Sequence, residues 1–165
     1  MPVFGLNNGM VPIVAYNFGA KNKDRIKKTI KLSVIYACSM MAVGFLAFQI
    51  FPEQLLRIFD TGDDDMIKII EIGIPMLRSI SISFVLAGFC IVAGSVFQAL
   101  GNGVRSLVVS VCRQLVVLVP VAFLLATTTK NIGLMWYSFP IAEICSLTMS
   151  ILFLRKTYKE EINVL

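Results

Sequence analysis

Four long apolar stretches, cut by short charged loops, constrain this chain more than any other feature. They cover residues 32–51, 80–100, 107–126 and 132–154. Each is close to the roughly 20 residues that a helix needs to cross a hydrocarbon core of about 30 Å. Lys21, Lys23, Arg25, Lys27 and Lys28 precede the first stretch, and Asp60, Asp63, Asp64 and Asp65 follow it. A sign change across each run means that the chain reverses sides each time. The expected fold is therefore all-α, a polytopic bundle of transmembrane helices. A hydrophobic content of 57% and a mean hydropathy of +0.82 exclude an ordinary soluble domain.

Counting Lys and Arg by side sets the orientation. Lys21, Lys23, Arg25, Lys27, Lys28, Lys31, Arg105, Arg155, Lys156 and Lys159 fall on one side, and only Arg57, Lys68 and Lys130 on the other. Basic loops resist translocation, so the first side and the C-terminus are expected in the cytoplasm of a multi-pass plasma (inner) membrane protein. The net charge of +5 is then a matter of topology and lipid contact, with no nucleic-acid partner implied.

Residues 1–18 are apolar but hold Asn7, Asn8, Pro12 and Asn17. Without a basic n-region or cleavage site they are no signal peptide. They read as the inner part of a transmembrane helix. Residues 19–31 read as a basic loop with a short amphipathic surface helix, in which Ile26 and Ile30 share a face. Residues 32–154 hold the four spans, and 155–165 a cytoplasmic tail. Gly101 marks a helix stop. Pro75, Pro120 and Pro140 fall within three spans, where a missing backbone donor makes a bend; they are hinge candidates.

Intramembrane charge is costly and points to function. Arg113 lies eight residues from Arg105, about 12 Å deep, and Glu143 lies twelve from Arg155, about 18 Å deep. Their spans are consecutive and antiparallel, so the two side chains can meet, as a static bridge or on a shared polar cavity. Gln114 joins them as a polar coupling candidate. Gln98, Asn17, Tyr16, Met40 and Met76 are candidates for lining a substrate path. Arg78 and Glu71 fall towards the outer interface. Four cysteines, one per span, lack metal spacing, and histidine is absent, so no metal site, enzyme chemistry or cofactor is expected. With no phosphate-binding loop, transport energy would come from a coupling ion, H⁺ or Na⁺.

The stretch Gly9-Met10-Val11-Pro12-Ile13-Val14-Ala15-Tyr16-Asn17-Phe18-Gly19-Ala20-Lys21 resembles a segment of multidrug and toxic compound extrusion (MATE) transporters that closes their eighth helix. Three further pieces fit the same family in the same order. They are Phe97-Gln98-Ala99-Leu100-Gly101-Asn102-Gly103, Ser110-Val111-Cys112-Arg113-Gln114, and Gly133-Leu134-Met135-Trp136-Tyr137-Ser138-Phe139-Pro140-Ile141-Ala142-Glu143. The resemblance implies two six-helix lobes that exchange Na⁺ or H⁺ for organic cations and drugs by alternating access. It makes this chain the end of the second lobe, helix eight in part and then nine to twelve. The missing N-terminal lobe is the expected partner, beside membrane lipids and a small organic cation or drug. Some members carry a deep carboxylate on helix ten; here that helix has only Glu71, near its outer end. Export by this chain alone is not expected. A lipid or lipid-linked oligosaccharide flippase of the same superfamily, or a small non-transporting scaffold, are the alternatives.

Overall fold

The computed structural model describes residues 2–59, 66–129 and 132–164. The acidic Asp60–Asp65 loop and Lys130 lie outside them. Helices account for nearly everything described, with no strand among those residues: α1 (Pro2–Gly19), α2 (Lys23–Ile50), α3 (Pro52–Arg57), α4 (Met66–Ser81), α5 (Phe84–Ala99), α6 (Gly103–Val111), α7 (Val119–Thr129), α8 (Ile132–Met135) and α9 (Ser138–Thr157). A π-helical segment, Cys112–Leu118, joins α6 to α7, and a second, Tyr158–Ile162, prolongs α9.

Three continuous helical stretches are long and apolar enough to span a membrane: Lys23–Ile50, Gly103–Thr128 and Gly133–Ile162. A fourth span is broken, Ile67–Ser81 and Phe84–Ala99 meeting at 50°. The polytopic reading therefore holds, but the second apolar stretch is interrupted near its start, where no proline stands. α4 runs on through Pro75, and the break comes at Ile82–Ser83. Side-chain competition for backbone carbonyls explains this. Ser83 Oγ donates to the Ile80 carbonyl at 2.6 Å, Ser81 Oγ to that of Arg78 at 3.0 Å, and Gln49 Nε2 from α2 also donates to the Arg78 carbonyl at 3.0 Å. Hydroxyls that satisfy carbonyls locally let a helix end within the bilayer.

Pro140 lies within the Gly133–Ile162 stretch, but near its start. It stands in the first turn of α9, where a proline costs no hydrogen bond, just after the turn at Trp136–Tyr137. Pro120 does coincide with irregular backbone. It cannot donate to the preceding turn, and the helix before it widens so that Val119 N–H reaches the Gln114 carbonyl, five residues back.

The basic segment is not a separate surface helix. It forms the first turns of α2, which starts at Lys23 under an Asn22 cap, Oδ1 accepting from Arg25 N–H at 3.4 Å. Ile26 and Ile30 face inward rather than towards lipid, buried with Val14, Val96, Leu100 and Ile162. The C-terminal segment packs back onto the bundle, since Thr157 and Ile162 are fully buried. The core thus sits at the basic end, where α1, α2, α5 and the C-terminal turn converge. Gly101, at φ 82°, closes α5 as expected, with Asn102 N–H on the Phe97 carbonyl at 2.7 Å. Lys21, at φ 54°, closes α1 in the same way without a glycine, Asn22 N–H meeting the Asn17 carbonyl at 2.9 Å.

α2 and α5 approach closely at Gly88. A Cβ there would lie 3.1 Å from Met41 Cγ and 3.3 Å from the Ala37 carbonyl oxygen. Small residues permit such backbone contact between membrane helices. Gly88→Val is expected to cost about 1–3 kcal/mol by forcing the pair apart. Thermal unfolding in detergent would measure it, and an unchanged midpoint would contradict the close contact.

Candidate functional site

Arg113 is the second residue of the π-helical segment, and Glu143 the sixth of α9. Arg113 Nη1 donates to Glu143 Oε1 at 2.6 Å. The glutamate is 7% exposed, and its second oxygen, Oε2, is buried without a partner. A lone carboxylate at this depth would be untenable; the guanidinium stabilises its charge. Yet only one of the arginine's donors is used, and no other described side chain accepts from it. The pair therefore has spare capacity on both sides.

The same arginine lines a cavity of about 290 Å³ between α1, α5, α6 and α9. Its walls carry several polar side chains: Asn7 and Asn8 from α1, Ser95 and Gln98 from α5, Ser106 and Ser110 from α6, and Ser146 from α9. Gln98 Nε2 donates to Ser106 Oγ at 3.1 Å. Asn7 Oδ1 and Ser146 Oγ are buried and unpartnered. Cys90 also faces the cavity, beside Glu143 and Ser146. All four cysteines are free, and no metal-ligand cluster occurs among the described residues.

Of the sequence candidates, the structure brings Arg113, Glu143 and Gln98 to one place. The others lie apart. Gln114 is exposed on the outer side of its helix turn. Asn17 is buried, but Nδ2 donates to the Ile13 carbonyl of its own helix at 2.8 Å. Tyr16 is 76% exposed, and Met40 is exposed on α2. Met76 lines a separate depression with Leu56, Ile72 and Gly73. Single-residue polarity could not sort these cases, because it carries no information about which face a helix turns inward. The missed residues did leave a signal. Ser138, Ala142, Ser146 and Ser150 recur every four residues along α9, and all four are buried. Asn7 is spaced with Val3, Met10 and Val14, the inward face of α1.

A second polar cluster ties the C-terminal turn down. Asn102 Nδ2 donates to both Glu161 oxygens, at 2.9 and 2.7 Å, and Arg105 Nη1 to Glu161 Oε1 at 3.0 Å and Thr157 Oγ1 at 2.6 Å. Arg105 counted only as a topogenic charge in the sequence; here it is also a structural one.

The MatE family model matches residues 1–124. "Multidrug export protein MepA" of Staphylococcus haemolyticus is 30% identical over 141 residues, covering 86% of this chain and 30% of that protein. Its namesake in Staphylococcus saprophyticus is 32% identical over 146 residues, covering 88% and 31%. The chain thus spans about a third of the length of these relatives. Among solved structures, a ligand complex of the MATE multidrug transporter DinF-BH superposes with a TM-score of 0.85 at 32% identity, covering all of this chain and 35% of that one. A crystal structure of MATE in complex with MaL6 gives 0.90 at 19% identity, over 99% and 36%, and shows the fold alone. The family match and a likeness that runs the whole length of the chain agree: the chain belongs to the MATE family of membrane transporters.

Proposed function

We propose that this chain forms the end of one lobe of a secondary active multidrug exporter, which moves organic cations and drugs outward in exchange for H⁺ or Na⁺. The observation that carries the reading is the Arg113–Glu143 pair, held mid-span by backbone that is itself irregular, beside a polar cavity. π-helical turns are frequent at functional sites because the wider ring re-aims side chains at little cost. Glu143 is the carboxylate able to take a proton at depth, and protonation would release Arg113 into the cavity. That exchange is a physical means of coupling ion entry to a change of state.

Alternating access needs a second lobe to rock against. Exposed Phe4, Ile13 and Tyr16 on α1 offer a face for it, as does the Gly103–Thr128 span, which buries little within this chain. The expected orientation puts the basic end, with the C-terminus, in the cytoplasm.

Rhodamine efflux from cells, under separately imposed Na⁺ and pH gradients, tests the reading on the longest reading frame that contains this chain. Export driven by one of the two gradients is expected, and dye export that persists with both collapsed would overturn ion coupling. The 165-residue chain alone in proteoliposomes is expected to hold its dye, and export by it would refute the need for a second lobe.

A further inference from the structure

Of the side chains lining the cavity between α1, α5, α6 and α9, only Arg113 is charged. Among the described residues, no carboxylate lines the space. Glu143, not itself among the lining residues, occupies Nη1, leaving the remaining guanidinium donors without a described acceptor. Asn7 and Ser146, 6% and 2% exposed, line the same space with unpartnered polar atoms. Buried polar groups without partners are costly, so their persistence around one cavity marks a place where something polar binds. The Asn8 and Gln98 amides add further donors at the wall.

The charge balance selects the ligand. An organic cation here would meet the guanidinium directly, because its counterion, Glu143, is not among the residues that line the cavity. A carboxylate would find the planar, multi-donor edge that arginine offers to such groups, with amide and hydroxyl donors around it. The volume, about 290 Å³, is at the small end for ligand pockets and suits an aromatic acid or the acidic end of a larger molecule.

We propose that this cavity is a carboxylate-binding subsite, taking the acid group of an anionic or amphoteric organic solute on the free edge of Arg113. The inference rests on the export reading and narrows it: the solutes favoured would be amphoteric, with the acidic end held here. Occupancy also bears on the pair, because a carboxylate on Arg113 competes with Glu143 for the same cation.

Cys90 provides a reporter in the cavity that requires no transport. Cys38, Cys112 and Cys145 are replaced by Ala, and the purified 165-residue chain in nanodiscs is labelled with methyl methanethiosulfonate. Three monocyclic aromatic probes are compared: benzoate, benzamide and benzylammonium. Benzoate at about four times its Kd is expected to slow labelling about fivefold, while the cation leaves it unchanged. Arg113→Gln is expected to abolish the benzoate effect, read as the ratio of that variant's own labelling rates with and without benzoate. Asn8→Ala, which keeps the ion pair, is expected to weaken it severalfold and covers the case in which the arginine variant does not fold. Equal protection by the cation, no protection by benzoate, or a Cys90 that does not react at all would each overturn the proposal. Dye efflux lost while benzoate protection persists would instead refute the export reading and leave the subsite standing.

Discussion

Glu143→Leu is expected to destabilise the chain by about 1–3 kcal/mol, because it leaves the Arg113 guanidinium, about a third exposed and facing the cavity, without its counterion. The partner's own desolvation is the larger part of that cost, since the 2.6 Å bond is what compensates it. The double variant, Glu143→Leu with Arg113→Leu, should recover most of the loss, as apolar replacements of a buried pair are often neutral. Helix content followed against dodecyl sulfate concentration would measure both. A single variant as stable as the parent would show that the pair does not hold α9 to the π-helical segment. Exchanging the charges, Arg113→Glu with Glu143→Arg, separates structure from coupling. In the longest reading frame that contains this chain, a purely structural bridge predicts recovery of stability and rhodamine export together. The coupling reading predicts a folded protein that does not export.

That pair was legible in the sequence because depth can be counted. Helical rise converts residue number into ångströms, so two charges within about 6 Å of depth on consecutive antiparallel spans can meet through long side chains or point away. The same arithmetic located the spans, since apolar run length and bilayer thickness are one constraint. It failed where local chemistry chose between backbone partners. Pro75 looked like the bend, yet the break formed at Ile82–Ser83, where Ser81, Ser83 and the distant Gln49 occupy carbonyls. Gln49 is far from Arg78 along the chain, so its contribution had no local signature. The basic segment misled for another reason: Ile26 and Ile30 make an apolar face that suits lipid or a protein core equally well, and only packing against Val14 and Ile162 decides. The polar cavity was invisible as a set. Asn7, Gln98, Ser106 and Ser146 stand on four helices, and no pattern within any one of them shows that they converge.

Glu161→Ala is expected to cost about 1.5–3 kcal/mol, the range for hydrogen bonds to a charged group that lose their acceptor. Glu161 and Arg105 are both about four-fifths buried at the side chain, so solvent screens the contact less than at an open surface. The substitution strips Asn102 of both its carboxylate bonds and leaves Arg105 with Thr157 and the longer 3.5 Å contact to Glu160. Arg105→Ala should cost a similar amount, and the two together less than the sum, by about 0.5–3 kcal/mol, because they remove one shared interaction. A double-mutant cycle on thermal unfolding gives that coupling directly, and strict additivity would contradict the geometry. The consequence reaches beyond stability. Asn102 belongs to the turn that joins α5 to α6, while Glu161 follows α9, so this cluster clamps the ends of three helices at the basic end. Ile162, fully buried beside it, fastens the same turn to α1 and α2. Any rocking of the lobe must then carry these ends as one body, and flexibility is left to the Ile82–Ser83 break and the π-helical segment, both farther along their spans.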